Sequence, residues 1–369
     1  MEDDYGISAK TICSLTNTVT KRLIHSNELT RLLKPRSYSG VMLVDGKYVP
    51  VKYPDKEKIK GLVPRSAKRK GKTKKGLVVL PFMDYETHDI PIYIIAISEN
   101  QFEVREGFRQ LKEMGYPLRV LVCDESMAEI AKTSKEFYPD VIIQTCLKHY
   151  SANVDKEFKV NGVKRTMKAI EKKLEKIGDS IFIPTHHYNI EKARKLTNQL
   201  ADLEFEYGYL IKVQQIFNEI FWKVETIEQL GEAEDRLNIV ISQINLDTYP
   251  HAEKIIKRYK DYYDKQEQIT AFIFHPDLNI PKTTNLIEGF NSTTLELRFS
   301  SIRGFEWEKT ASPYINSMIL KYRFHKFKCC KKQFKKLNGK SPLEISNPLH
   351  NFKNLCSKDW VELCRKLKF

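Results

Sequence analysis

The chain has 369 residues and a formal net charge of +15, with 62 lysines and arginines against 47 aspartates and glutamates. That length allows two or three domains, and the positive charge indicates a polyanionic partner such as nucleic acid. No apolar run approaches the roughly 18 residues of a membrane-spanning helix, so no membrane partner is expected. Seven scattered cysteines argue against a disulfide framework. No signal peptide precedes the first acidic residues, so we expect an intracellular protein, cytoplasmic or in the nucleoid of a prokaryote, or nuclear in a eukaryote.

The N-terminal segment, 1–38, contains the pattern of one amphipathic helix, with apolar side chains at helical spacing at Ile12, Leu15, Val19 and Leu23. The sequence just before this face, at 6–12, is similar to the turn and recognition helix of a helix-turn-helix unit. An ordinary amphipathic helix explains the pattern equally well. We interpret the segment as a partial helix-turn-helix-like element; if the similarity is real, the chain starts inside a truncated DNA-binding domain.

Residues 39–150 carry the signal of buried strands separated by helices. Apolar runs predict five strands, at 41–49, 76–83, 90–97, 118–124 and 141–144. Helices are predicted over 101–114, ended by Gly115, and over 127–137. Six cations between the first two strands fit a hairpin tip that contacts phosphates, although such runs are usually solvated loops: Lys68, Arg69, Lys70, Lys72, Lys74 and Lys75.

The strand signal disappears over 151–280, where helical periodicity with few glycines and prolines predicts an all-α domain. Residues 281–330 are expected to return to the domain begun at 39, and 331–369 to form a basic C-terminal tail. Around the start of that tail, cations including Lys331 and Lys332 alternate with aromatic residues. This pattern suits contact with a DNA backbone.

Two aspartates lie in or at the end of predicted strands. Asp45 interrupts the first strand and Asp124 ends the fourth. Three strands, a helix and a strand are the layout of the ribonuclease H-like fold, in which the first and fourth strands are neighbours. An aspartate within such a strand is costly to bury unless it is paired or bound to metal. Each also has an ordinary explanation, because Asp45-Gly46 is a common turn dipeptide and Asp124 could cap the following helix.

A third carboxylate, Glu288, lies in a predicted short helix. Asn285 and Glu288 have the spacing of a capping box, which would make the glutamate a structural residue. On helical spacing, however, Asn285, Glu288 and Ser292 share a polar face, and the opposite face is apolar at Leu286, Phe290 and Leu297. Arg298 and Arg303 follow and bring positive charge to the same region.

Four motifs in this order resemble the DDE transposases of the Mutator-like group and the related prokaryotic insertion-sequence transposases. They are Leu43-Val44-Asp45-Gly46, Val122-Cys123-Asp124-Glu125, Cys146-Leu147-Lys148-His149 and Thr283-Thr284-Asn285-Leu286-Ile287-Glu288. The resemblance covers about residues 39–330. It implies an α/β fold with a ribonuclease H-like mixed sheet and a large all-α insertion before the last catalytic residue.

By this resemblance, Asp45, Asp124 and Glu288 would be the catalytic residues and the ligands of two Mg²⁺ or Mn²⁺ ions. Cys146, His149 and Asn285 would lie near the site; a structural zinc site would need a second ligand pair, which the spacing does not offer. The activity implied is DNA cleavage at element ends followed by strand transfer into target DNA.

The partners implied are double-stranded DNA, at element ends and target, and a second copy of the chain, because two ends must be cut together. The alternative is a truncated or domesticated transposase-derived protein that binds DNA without cutting it. The short N-terminal segment favours this alternative. The three carboxylates favour the enzyme, because a protein that does not cut DNA has no chemical reason to keep them.

Overall fold

The computed structural model describes residues 18–35, 37–50, 76–96, 101–125, 128–178, 186–244, 252–302, 308–348 and 359–366. The chain divides into two compact units, one formed by Met1–Ile143 with Thr283–Phe369 and the other by Gln144–Lys282. The predicted helical domain, 151–280, lies within the bounds of the second unit. Among the described residues, no helix combines the length and apolar character required to cross a bilayer.

The described strands form one mixed six-stranded sheet. They are β1 (Val41–Val44), β2 (Lys47–Pro50), β3 (Gly76–Asp84), β4 (Ile92–Ala96), β5 (Val120–Cys123) and β6 (Ile142–Thr145). β3 pairs antiparallel with β1, β2 and β4, while β5 pairs parallel with β1 and has β6 as its other neighbour. Each predicted strand is confirmed by an overlapping one, and the first and fourth predicted strands are neighbours, as β1 and β5.

β1 and β2 follow one strand path that is interrupted at Asp45 and Gly46. Val44 pairs with Phe82 and Lys47 with Val79, so two residues are passed over on each strand and the register does not change. One of the residues passed over on β3 is Pro81, which has no N–H to donate to the ladder. The interpretation of Asp45-Gly46 as a turn is therefore wrong.

Helices α1 (Ser26–Leu33), α2 (Gln101–Glu113) and α3 (Ala128–Phe137) complete the first part of this unit. The apolar face of α2 joins the core of the sheet, where Phe108 meets Phe82 edge-on with ring centroids 5.4 Å apart. Gly107 permits this approach, because a Cβ there would lie 2.4 Å from Ile94 Cδ1. Gly115, with φ +72°, follows the helix in the left-handed conformation expected of its stop residue.

The second unit contains α4 (Leu147–Phe158), α5 (Val160–Gly178), α6 (His186–Trp222), α7 (Ile227–Ser242), α8 (Glu253–Asp264), α9 (Gln266–Ile269) and α10 (Ala271–Phe274), then a 3₁₀ turn at Pro276–Leu278. Its core is rich in aromatic rings that contact one another. The ring centroid of Phe217 lies 5.7 Å from that of Phe221 and 5.5 Å from that of Tyr262. No strand occurs among the described residues between 151 and 280, as the helical periodicity predicts.

The chain then forms α11 (Asn285–Phe290), a π-helix (Asn291–Glu296), α12 (Leu297–Ile302), α13 (Glu308–Phe324), a 3₁₀ helix (Lys332–Leu337), α14 (Pro342–Ser346) and α15 (Asp359–Lys366). The described part of the basic tail is folded into the first unit. Phe334 and Leu337 are buried there, and Phe334 packs against His88. The aromatic residue Phe334 therefore belongs to the core and does not form a surface for nucleic-acid bases.

A buried ion pair joins distant parts of the first unit. Arg323 donates to both carboxylate oxygens of Asp89, at 2.7 and 2.9 Å, and both side chains are 0% exposed. Arg323 Nη1 also donates to the backbone oxygen of Ser26 and to Thr30 Oγ1 in α1. Asp89 further accepts hydrogen bonds from Tyr38 and Ser346. Arg323, one of several cations close together in the sequence at 321–328, is therefore a structural residue.

His88 is a buried neutral imidazole on the loop between β3 and β4. It adopts φ +57°, its ring lies 4.4 Å from that of Phe334, and its Nε2 has no hydrogen-bond partner among the described residues. Burial lowers the pKa of His88 to about 4. In the unfolded chain the imidazole titrates near its ordinary value of about 6.5.

We expect His88 to make the first unit less stable in mild acid. Between about pH 6.5 and 4 the unfolded chain binds a proton at His88 that the folded chain does not bind. The free energy of unfolding therefore decreases as the pH is lowered from about 6.5 to 4, by about 3 kcal/mol in total. His88→Asn, which tolerates positive φ, should lose this component in urea titrations at several pH values. Exposed His325 gives the control, His325→Asn, which should keep the wild-type profile. Equal pH dependence in wild type and His88→Asn would contradict the expectation.

Candidate metal centre

Asp45 and Asp124 follow directly after neighbouring parallel strands. β1 pairs with β5 in the register Val41–Val120 and Leu43–Val122, and the same offset relates Asp45 to Asp124. Residues level with each other on adjacent strands lie about 5 Å apart and direct their side chains to the same face. Both aspartates are half-buried, at the carboxyl ends of fully buried strands. α3 is described from Ala128, and residues 126–127 lie outside the described part of the chain, so the alternative that Asp124 caps this helix stays a prediction.

Glu288 lies in α11, on the helix that follows the second unit in the chain. Thr284 is the N-cap of α11, and its side chain makes no capping bond. Thr284 Oγ1 instead donates to Glu288 Oε1 at 3.0 Å. Asn285 is the first helical residue and is exposed. The capping-box interpretation of Asn285 and Glu288 is therefore wrong, and one oxygen of the glutamate is oriented by the buried threonine.

Asn291 connects the helix of Glu288 to Asp45. Its Nδ2 donates to Asp45 Oδ2 at 2.8 Å, although the two residues are far apart in the chain. Asn291 lies three residues after Glu288, and residues at this spacing are neighbours on a helix surface. The face of α11 that carries Glu288 is thus the face next to Asp45.

A second contact five residues later fixes the same segment to the same strand path. Lys47 Nζ and Glu296 Oε2 are 2.7 Å apart, and Glu296 is the last residue of the π-helix that begins at Asn291. In a π-helix, residues five apart are bonded neighbours, and in a strand residues two apart share a face. The π-helix therefore aligns Asn291 with Asp45 and Glu296 with Lys47.

The π-helix also corrects the predicted apolar face. Sequence periodicity assigns Leu297 to the same packed face as Phe290, but Leu297 is 64% exposed and Leu295 is buried instead. A wider turn shifts every following side chain around the axis. The same shift explains why Ser292, expected beside Glu288, is exposed while Asn291 is buried. Asn291 was detectable in the sequence only as a second polar residue within one turn of Glu288.

Another buried acid, Asp84 at the end of β3, lies beside the amino end of β1 and has a structural role. It accepts hydrogen bonds from the backbone and hydroxyl groups of Ser39 and Thr87 and from the Tyr116 hydroxyl, at 2.7 to 3.0 Å. Burial raises the pKa of Asp84 above its ordinary value, and these hydrogen bonds oppose the rise. Its lone pairs are occupied by protein donors, so Asp84 is not a candidate ligand.

Cys146 and His149 belong to the second unit. Cys146 is buried at the N-cap of α4, and His149 is half-buried in its first turn. The adjacent Leu147 and Tyr150 form part of the helical core. The expected position of Cys146 and His149 near the three carboxylates stays a prediction.

Only some of the predicted DNA-binding cations lie within the described residues. Those between β2 and β3, at 68–75, lie outside the described residues, as does Arg303. Arg298 and Lys331 are exposed, and Lys332 begins a 3₁₀ helix. The stretch that is similar to a helix-turn-helix, at 6–12, is outside the described residues as well.

The donor set of this centre fits a hard divalent cation. Asp45, Asp124 and Glu288 offer carboxylate oxygens and Asn291 an amide oxygen, the ligand types that Mg²⁺ and Mn²⁺ prefer. No protein-family model matches the chain, and no curated protein matches it.

Proposed function

We propose that the chain is a DDE transposase that cleaves DNA at element ends and joins the freed 3′ end to target DNA in a metal-dependent reaction. The observation that carries this proposal is the parallel pairing of β1 with β5, because its register leaves Asp45 and Asp124 level at the ends of adjacent strands. The hydrogen bond between Asn291 and Asp45 adds the helix of Glu288 to the same end of the sheet.

The sheet supports the same proposal. When β1 and β2 are counted as one interrupted strand, the first strand lies between the second and the fourth. This arrangement is compatible with a ribonuclease H-like fold, in which the first and fourth strands are neighbours. The helical region between Asp124 and Glu288 fits the insertion that the resemblance to Mutator-like transposases implies.

In the proposed reaction the chain would bind the cations, and it fixes the orientation of the side chains that act as ligands. Asp45, Asp124 and Glu288 would bind them; Asn291 orients Asp45, and Thr284 orients Glu288. When bound, two such ions would activate the attacking water or 3′-hydroxyl and stabilise the leaving oxygen. The half-buried position of all three carboxylates leaves them open to a phosphodiester while limiting the freedom of their side chains.

The proposed DNA partner is further supported by a basic face of α5. Four exposed cations follow α5 at spacings of three and four residues, Arg165, Lys168, Lys172 and Lys176. The opposite face of α5 is apolar and includes buried Ile170 and Ile177. Within the described residues, none of the four cations forms an ion pair. An unpaired row of this kind suits the sugar–phosphate backbone.

We expect Lys168→Gln/Lys172→Gln/Lys176→Gln to weaken binding to duplex DNA of any sequence. The slope of log Kd against log salt should fall by about 0.9 for each phosphate that is no longer neutralised, up to about 2.7 for the triple variant. Fluorescence anisotropy with a labelled duplex at several salt concentrations measures this slope. Lys132→Gln/Lys195→Gln/Lys260→Gln removes the same charge from exposed positions on three different helices, α3, α6 and α8, and should leave the slope near the wild-type value. Equal effects of both triples would show that only net charge matters.

The activity itself is tested with two substrates that need no known terminal repeat. Purified protein is incubated with supercoiled plasmid, and with plasmid plus a labelled duplex ending in a free 3′-hydroxyl. Nicked plasmid and joined label are expected with Mg²⁺ or Mn²⁺ and not with EDTA. DNA binding without either product, under both metals, would support the alternative of a DNA-binding protein that does not cut. Cleavage without joining would support a nuclease that shares the same site.

A further inference from the structure

Asn291 is a buried polar side chain at the candidate centre. It is 3% exposed, whereas Asp45, Asp124 and Glu288 are half-buried. Its amide orientation is fixed by chemistry, because a carboxylate only accepts hydrogen bonds and the Nδ2 group must therefore face Asp45. The hydrogen bond to Asp45 Oδ2, at 2.8 Å, has this arrangement.

The other atom of the same amide has no partner among the described residues. Asn291 Oδ1 is buried and accepts no hydrogen bond from any of them. Buried carbonyl oxygens in folded proteins are almost always paired, and an unpaired one requires an explanation such as a bound ion or water. The group that satisfies Oδ1 is therefore expected to be one that the protein binds.

The backbone at Asn291 gives an independent indication. The residue begins a six-residue π-helix. Such π-helical turns are rare in proteins overall, and those that occur are often found at functional sites. Within this π-helix Asn291 contacts Asp45 and Glu296, five residues later, contacts Lys47. The unusual backbone thus places the amide where one end contacts a candidate ligand and the other end is open.

We infer that Asn291 is a positioning residue for Asp45 and that its Oδ1 is an oxygen donor for the hydrated divalent cation bound there. This inference rests on the proposed function. The amide is suited to both tasks, because its N–H holds the carboxylate and its oxygen is a hard, neutral donor. A neutral ligand also adds no negative charge to a centre that already contains three carboxylates.

The test measures metal binding in the absence of DNA, so it does not depend on catalysis. Mn²⁺ affinity is measured by electron paramagnetic resonance for wild type, Asn291→Leu and Asn291→Asp, with Ser292→Ala as the neighbouring exposed control. Asn291→Leu should bind Mn²⁺ about 10- to 100-fold more weakly, as expected when an outer partner of a metal ligand is removed. Ser292→Ala should bind as wild type does.

Thermal unfolding with and without Mn²⁺ separates this role from a structural one. The rise in unfolding temperature on adding Mn²⁺ should be smaller than wild type for Asn291→Leu. It should be larger for Asn291→Asp, because a second carboxylate beside Asp45 is repelled until a cation neutralises it. The Asp variant also keeps the inference testable if the Leu variant does not fold.

The outcomes distinguish this inference from the proposed function. If Asp124→Asn abolishes Mn²⁺ binding while both Asn291 variants bind as wild type does, the inference is overturned and the metal centre stands. Equal loss of stability in both Asn291 variants, independent of Mn²⁺, would also overturn it. If wild type binds Mn²⁺ no more tightly than Asp124→Asn does, the proposed function and the inference fail together.

Discussion

Replacement of Asp124 by asparagine is expected to reduce plasmid nicking and strand joining by about 10³-fold, equivalent to about 4 kcal/mol of transition-state stabilisation. The change keeps the shape of the side chain and removes the charge that would hold a cation at the end of β5. DNA affinity should stay near that of wild type, because the variant loses a negative charge and keeps every group that contacts phosphate.

Glu125→Gln is the matched control for Asp124→Asn. It removes the same charge from the next residue, which is also half-buried but does not lie level with Asp45 in the register of β1 and β5. We expect its nicking rate to remain within a few-fold of wild type. Equal activity of wild type and Asp124→Asn would refute the assignment of the three carboxylates, whatever the source of the cleavage.

Arg323→Met is expected to lower the free energy of unfolding of the first unit by about 3–5 kcal/mol, because it leaves the buried Asp89 carboxylate without its partner. The remaining hydrogen bonds from Tyr38 and Ser346 do not neutralise the charge. Arg323→Met/Asp89→Asn should lose less than Arg323→Met alone, since the second change removes the unpaired charge. Arg31→Met, which breaks an exposed ion pair on α1, should cost less than about 1 kcal/mol.

Tryptophan fluorescence in urea can follow this unit separately. Trp360 stacks on Phe324, next to Arg323, with ring centroids 6.0 Å apart. A Trp222→Phe background removes the tryptophan of the second unit from the signal. Additive losses in the double variant, with no coupling between Arg323 and Asp89, would contradict the proposed role of the pair.

The sheet could be predicted from the sequence because its determinants are local. Short apolar runs bounded by glycines and charges specify buried strands, and an aspartate is conspicuous in such a run. The neighbouring placement of the strands of Asp45 and Asp124 followed from the order of elements. The continuity of β1 and β2 was not visible, because Asp45-Gly46 has the composition of a turn and only pairing with β3 decides between the two.

The parts that sequence could not predict depend on contacts between distant residues. Arg323 is one cation in a basic segment, and nothing local distinguishes it from the exposed Lys321 in the same helix. Asn291 lies in a stretch whose helical face changes at a π-helix, and the periodicity of an α-helix cannot represent that change. Propensity and spacing describe neighbours in the chain, whereas the roles of these two residues are determined by Asp45 and Asp89, which lie in remote parts of the sequence.

The pairing of Asp89 with Arg323 has a consequence for how the chain folds as it is synthesised. The second unit is one uninterrupted stretch, Gln144–Lys282, so all of its core is available before the last part of the chain leaves the ribosome. The first unit cannot complete its core at that stage, because Asp89 and Ser26 lack their hydrogen bonds to the Arg323 guanidinium until α13 has been synthesised. Contacts of such long sequence separation slow folding and leave surfaces exposed meanwhile. A pause in translation just before α13 would therefore prolong the period in which the sheet is vulnerable to aggregation.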